Sequence, residues 1–177
     1  MKAFTLSLSQ VYVGTYAKYN AGSLAGAWFK LSDYTDKDEF IEACKKFHAD
    51  ETSPEFMFQD WENIPEGFIT ESSISKEYWE LVDKIKYYDM DEEALIAFLD
   101  YKGYTFENDY LDTIIDDFEE SYQGEFNDEE AYAYDLVENF YFGLPELVKT
   151  YFDYERFARD LFIGEYTFEN GYVFRCI

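Results

Sequence analysis

Apolar and polar positions change their spacing several times along the chain, and each change predicts an element. Val11-Tyr12-Val13-Gly14-Thr15 is β-branched and aromatic and predicts a strand. Tyr19-Asn20-Ala21-Gly22-Ser23 is turn chemistry, and Gly26-Ala27-Trp28-Phe29-Lys30-Leu31 predicts a second strand. Asp36, with Glu39 three residues on, has the form of a capping box. The helix behind it carries Phe40, Ile41, Cys44 and Phe47 as an apolar stripe. Phe56-Met57-Phe58-Gln59-Asp60-Trp61 predicts a third strand, ended by Pro65 and Gly67.

From Ser75 the spacing turns helical. Trp79, Val82 and Ile85 line one predicted helix. Asp91-Glu92-Glu93 open a second, with Leu95, Phe98 and Leu99 inward and Gly103 as its stop. Asn108 is placed as the cap of a third, which carries Leu111, Ile114 and Ile115. A short strand is expected from Phe118 to Tyr122. Asn127 and Glu130 then read as a capping-box pair, before a helix with Ala133, Val137 and Phe140 inward that stops at Gly143. A short helix near Glu146–Thr150 follows, and Asp153 caps another that Gly164 ends. Tyr166-Thr167-Phe168 and Tyr172-Val173-Phe174 flank Asn170-Gly171, the pair preferred in a type I′ hairpin turn. The expected class is α+β: three small domains in series, namely α+β over 1–72, a helical bundle over 73–117 and α+β over 118–177.

Composition narrows the function. The 177 residues hold 39 acids and 14 bases, a net charge of -25, yet hydrophobic residues reach 47% and aromatics 22%. That apolar fraction is too high for a disordered acidic tail, and the charge repels phosphates, which excludes ordinary nucleic-acid binding. The three segments carry net charges of -6, -9 and -10. From Gly103 to Val148 there are 14 acids and neither Lys nor Arg. Surface acids are normally interspersed with bases, so this stretch accepts self-repulsion throughout.

Chemistry is hard to find. No apolar run approaches a membrane span, and the start lacks the apolar region of a signal peptide. There is no GxSxG, Walker or GxGxxG motif. The single histidine, His48, is expected to be solvated, and with Cys44 and Cys176 far apart no zinc site is expected. Cys44 is placed in the core, and both thiols are expected to stay reduced. Asp36-Lys37-Asp38 and Asp89-Met90-Asp91 have alternating carboxylates but lack the glycine of a calcium loop, so both read as helix starts. No catalytic, cofactor or metal residue is assigned, and the chain is not expected to be an enzyme. Trp28, Trp61 and Trp79 are assigned to the core.

The remaining signal is the arrangement of acids. Asp109, Asp112 and Asp116 share one helical face, as do Asp128, Asp135 and Glu138. With Asp117, Glu119, Glu120, Glu125 and Glu129 they form the candidate partner-binding set. Helical neighbours three or four apart lie about 5–6 Å apart at Cβ. Duplex DNA carries one charge per about 1.7 Å of axis, so a charge of -25 corresponds to about 43 Å of duplex. A protein with a basic DNA channel would meet a surface of complementary charge. The alternatives are a mimic aimed at another DNA-binding defence protein and a cation-binding module.

Val11-Tyr12-Val13-Gly14-Thr15, Lys18-Tyr19-Asn20, Gly22-Ser23, Ala25-Gly26 and Trp28-Phe29 resemble the opening motif of the ArdA antirestriction proteins. The similarity continues in Phe56-Met57-Phe58-Gln59-Asp60 and Tyr122-Gln123-Gly124-Glu125. It is strongest in Tyr151-Phe152-Asp153-Tyr154-Glu155-Arg156-Phe157-Ala158-Arg159-Asp160-Leu161 and Gly171-Tyr172-Val173-Phe174-Arg175. The resemblance implies an elongated, curved protein, a cytoplasmic DNA mimic carried by mobile elements, that occupies the DNA groove of type I restriction-modification enzymes. It implies the specificity and methyltransferase subunits as partners, and a homodimer formed through the C-terminal part. The counterpart of the family's antirestriction motif is 139–151, aromatic here at Phe140-Tyr141-Phe142. Leu144, Leu147, Val148, Tyr151 and Phe152 are candidates for the dimer seam or for the core, and the sequence leaves both open. Arg156 and Arg159 are expected to form structural ion pairs.

Overall fold

The structure is a computed structural model, described for residues 6–103, 110–140 and 144–177. The expected cap Asn108, the carboxylate of Asp109 and the stop Gly143 lie outside the described residues. The chain divides into two compact units, Met1–Leu111 and Asp112–Ile177.

In the first unit, β1 (Gln10–Thr15) is the central strand of an antiparallel sheet between β2 (Ala27–Lys30) and β3 (Phe56–Glu62). Tyr12 pairs with Asp60 and Val13 with Phe58, which leaves Gln59 as an extra residue in β3, a bulge. The Gln59 amide lies over Gly14, where a Cβ would come 2.8 Å from its nitrogen. Between β1 and β2 the chain forms a five-residue helix, α1 (Tyr16–Asn20), where the sequence reading placed only a turn. Its driver is a cap: Thr15 Oγ1 accepts from the Lys18 amide at 3.3 Å.

Helix α2 (Lys37–Phe47) starts as expected, with Asp36 accepting from the Glu39 amide at 2.8 Å. Glu39 reaches back one residue beyond the capping-box position, to the Thr35 amide at 2.7 Å. Phe40 is fully buried, with ring contacts to Phe29, Tyr34, Phe58 and Trp79. Trp79 comes from α3 (Glu77–Tyr88), so sheet, α2 and α3 share one core. Trp79 also donates to the Tyr34 carbonyl at 3.1 Å, and the Tyr78 hydroxyl donates to the Leu6 carbonyl at 3.0 Å. Helix α4 (Glu92–Lys102) is capped by Asp91, whose carboxylate accepts from the Ala94 amide at 3.0 Å. It ends at Gly103, whose φ of 66° is the left-handed stop that glycine adopts without strain. Ala94 to Leu99 are all buried, so this helix is apolar around its circumference.

In the second unit, α5 (Leu111–Ser121) runs through the stretch where a strand was expected at Phe118. Phe118 continues the helical spacing of Leu111, Ile114 and Ile115, and all four are buried, so tertiary packing holds the helix. β4 (Tyr122–Glu125) starts only after it and lies at one edge of an antiparallel sheet ordered β4-β6-β5. β5 (Tyr166–Glu169) and β6 (Tyr172–Arg175) form the expected hairpin, with positive φ at both Asn170 (53°) and Gly171 (98°). Phe118 stacks on Tyr122 at 5.1 Å, and both rings approach Phe174. Helix α6 (Glu129–Phe140) packs on α8 (Tyr154–Leu161) through Ala133, Ala158 and Leu161. Tyr132 fills the space between this pair and the sheet, its ring 5.0 Å from Phe126 and 4.9 Å from Tyr166. Helix α7 (Glu146–Thr150) is short, and none of its residues is buried. No described helix is long and apolar enough to cross a membrane.

Candidate partner-binding surface

Helix α5 sorts its residues by chemistry. Leu111, Ile114, Ile115 and Phe118 point inward, while Asp112, Asp116, Glu119 and Glu120 are exposed and Asp117 is half-buried. The exposed acids follow i, i+4, i+7, i+8, one face of the helix. The last turn of α5 has no basic residue, so Glu119 and Glu120 stand where the helix dipole is least favourable to them. Glu125 extends the exposed acids onto β4.

The α6 acids behave differently. Asp128 is the cap, its carboxylate accepting from the Ala131 amide at 2.8 Å, so the helix starts one residue later than the Asn127–Glu130 reading placed it. Glu129 is exposed in the first turn. Asp135 and Glu138 are half-buried and engaged: Asp135 accepts from Asn139 Nδ2 at 2.7 Å, and Glu138 accepts from Lys149 Nζ at 2.7 Å. The Glu138 hydrogen bond is the main reason the Lys149 ammonium is held above its ordinary pKa. Lys149 also lies 3.7 Å from Glu146. The structure thus brings the outward α5 acids into one row and leaves Asp135 and Glu138 with local work.

The apolar candidates divide as well. Leu147 is 70% exposed, Tyr151 82% and Val148 45%. Leu144 is half-buried, and half-buried Phe152 packs its ring against Tyr154 at 4.9 Å and Phe157 at 5.3 Å. Among the described residues, neither Arg156 nor Arg159 makes the expected ion pair, and both are exposed on α8. The ion pairs described in this unit are those of Lys149 with Glu138 and Glu146.

Three expected side-chain placements fail in the first unit. His48 is fully buried, not solvated. It continues the spacing of Phe40 and Cys44, i+4 and i+8 on one helical face, and all three have 0% exposure; that period was the signal. Its Nε2 bonds the Val13 carbonyl oxygen at 3.2 Å, while Nδ1 lies 2.9 Å from Lys18 Nζ. His48 therefore donates through Nε2 and accepts through Nδ1. Donor atoms of His48, Asp50 and Glu51 lie within 4.8 Å of one another, a metal-like grouping that the sequence reading did not contain. The Lys18 ammonium fills it, 2.9 Å from Asp50 and 3.5 Å from Glu51. The hydrogen bond to Asp50 raises the Lys18 pKa, and the same bond lowers that of Asp50.

The other two failures are Trp28 and Trp61, which are 43% and 38% exposed; only Trp79 is in the core. Cys44 is buried as expected, and burial pushes its thiol up to about 12.

A search of curated proteins returned no match. The family model described as Antirestriction protein (ArdA) matches residues 11–174. That match spans both compact units and nearly all of the 177 residues, and it includes the acid row of α5 and the Tyr151–Leu161 segment. The chain belongs to the ArdA family of antirestriction proteins.

Proposed function

We propose that this protein inhibits type I restriction-modification enzymes by imitating DNA. Its carboxylates take the places of phosphates in the DNA groove of the specificity and methyltransferase subunits, and incoming DNA is spared. The observation that carries this reading is the row Asp112, Asp116, Glu119, Glu120 on α5, backed by buried Leu111, Ile114, Ile115 and Phe118. A helix anchored through its other face presents its charges without an ordering cost on binding. Asp109, Asp117, Glu125, Asp128 and Glu129 extend the set. Asp135 and Glu138 contribute field rather than direct contacts, because each is half-buried and held by a neighbouring side chain.

In this proposal two copies join through Leu144, Leu147, Val148, Tyr151 and Phe152, with Leu147 and Tyr151 at the centre because they are the most exposed. Two chains of -25 carry -50, equivalent to about 85 Å of duplex. The segments 1–72, 73–117 and 118–177 are proposed as three small domains, the first two sharing a core through Trp79. The protein acts in the cytoplasm of the host, without catalysis and without a cofactor.

The test is inhibition of DNA binding and methylation by a purified type I enzyme. Wild-type protein is expected to inhibit at stoichiometric dose. Changing Asp112, Asp116, Asp117, Glu119 and Glu120 to their amides should weaken inhibition progressively, by accumulation rather than at one position. Undiminished inhibition by the full amide variant rejects the mechanism. Inhibition of a different DNA-binding defence protein, with none of the type I enzyme, redirects the target and leaves the mimicry.

A further inference from the structure

The outward face of the first sheet is more aromatic than a solvated face requires. Tyr12 and Trp28 are cross-strand partners with rings edge-on at 5.5 Å. The Tyr12 ring lies over Gly26, where a Cβ would come 2.8 Å from it, and its hydroxyl donates to the Leu24 carbonyl at 2.9 Å. Tyr12 is thereby fixed in place. Together with Tyr19, Leu24, Gln59, Trp61 and Glu71 it lines one open hollow. Leu24 is 67% exposed, Tyr19 48%.

Carboxylates accompany these rings. Asp60 stands opposite Tyr12 in register, Glu62 follows it, and Glu71 is on the rim of the hollow. Asp60 spends Oδ1 on the Trp61 amide, and Glu71 spends Oε1 on the Tyr16 hydroxyl, so each has its second oxygen for another donor. Lys30 lies one row along, beside Gln10.

We infer that this face binds arginine side chains of a protein partner. Guanidinium planes stack on Trp28 and Tyr12, and their N–H groups are accepted by Asp60 and Glu71. An apolar partner would bury those carboxylates without compensation. Nucleic acid and a second copy of this chain would each bring more negative charge to it. A cation satisfies both halves of the surface, the ring faces through their quadrupole and the acids by charge. Arginine fits better than lysine, because its flat, weakly hydrated head can stack and hydrogen-bond at once. The inference does not rest on the α5 acids, which belong to the other compact unit.

Calorimetric titration of the full chain with an oligoarginine peptide and an oligolysine peptide of equal length tests it. Charge attraction alone gives the two peptides equal affinity. The expected result is binding of oligoarginine about threefold or more tighter at the same salt, from about 0.5–1 kcal/mol per exposed stacked cation. Trp28→Ala should abolish the preference and leave the salt-sensitive binding common to both peptides. Asp60→Asn with Glu71→Gln, which removes no ring, should lower oligoarginine affinity several-fold; it carries the test if the tryptophan variant does not fold. Amide substitution of the α5 acids should leave the preference unchanged, which separates this surface from the proposed mimic. Equal affinity for both peptides, or a preference that survives in the folded ring and carboxylate variants, overturns the inference.

Discussion

Lys18 Nζ lies 2.9 Å from His48 Nδ1 and joins helix α1 to a buried ring that in turn holds the Val13 carbonyl. The ammonium stands among donors spaced like metal ligands. Zinc added to wild-type protein is therefore expected to leave the melting temperature almost unmoved. Lys18→Ala, which opens the three donors, should melt lower without metal and recover part of the loss with zinc. Differential scanning fluorimetry reads both, and a large zinc shift in wild type would contradict the arrangement.

Glu119 and Glu120 crowd the last turn of α5, where the dipole and like charges both oppose them. Glu119→Gln with Glu120→Gln should raise stability by about 0.5–1 kcal/mol in a urea titration. The same variant should inhibit a type I enzyme less well. Opposite signs for stability and inhibition are the mark of charges kept for a partner.

Alkaline pH should destabilise the first unit. Burial pushes both the Cys44 thiol and the Tyr78 hydroxyl up to about 12. Each folded value lies above the unfolded one, so the stabilisation is complete below the unfolded values of 9.0 and 10.0 and is lost as pH rises toward 12. Urea midpoints should fall steeply over that window, and Cys44→Ala should flatten the lower part of the fall.

At the acid end the sign reverses. The Lys18 hydrogen bond holds Asp50 below its ordinary range, so its contribution is present above about pH 4 and disappears as pH falls through the depressed value. Asp50→Asn should lose this dependence, which urea midpoints at descending pH will show.

Leu147 and Tyr151 expose apolar surface at the centre of the proposed seam between two copies. Leu147→Glu with Tyr151→Glu should leave circular dichroism unchanged and halve the molar mass in sedimentation equilibrium. A wild-type chain that sediments as a monomer would remove the proposed seam.

Much of the fold was legible because single residues dictate it. Asp36 and Asp153 cap the helices they were expected to cap, the Asp91-Glu92-Glu93 run opens α4, Gly103 ends it, and Asn170-Gly171 turns the hairpin. Failures came where two rules competed. Phe118 to Tyr122 has strand composition, but packing of Phe118 in the helical register decided it. α1 is too short to show a period. The site was legible only as charge: the sequence grouped Asp135 and Glu138 with the α5 acids, and only coordinates reveal that Asn139 and Lys149 engage them. Trp28 and Trp61 misled because an aromatic residue in a strand gives no sign of which side it faces.

Gln59 is the one position of β3 that β1 does not count: Tyr12 faces Asp60 and Val13 faces Phe58 across it. Losing that residue would keep the flanking partners, whereas losing one from β1 would slip its register against both neighbours. The edge strand therefore carries a spare place that the central strand lacks.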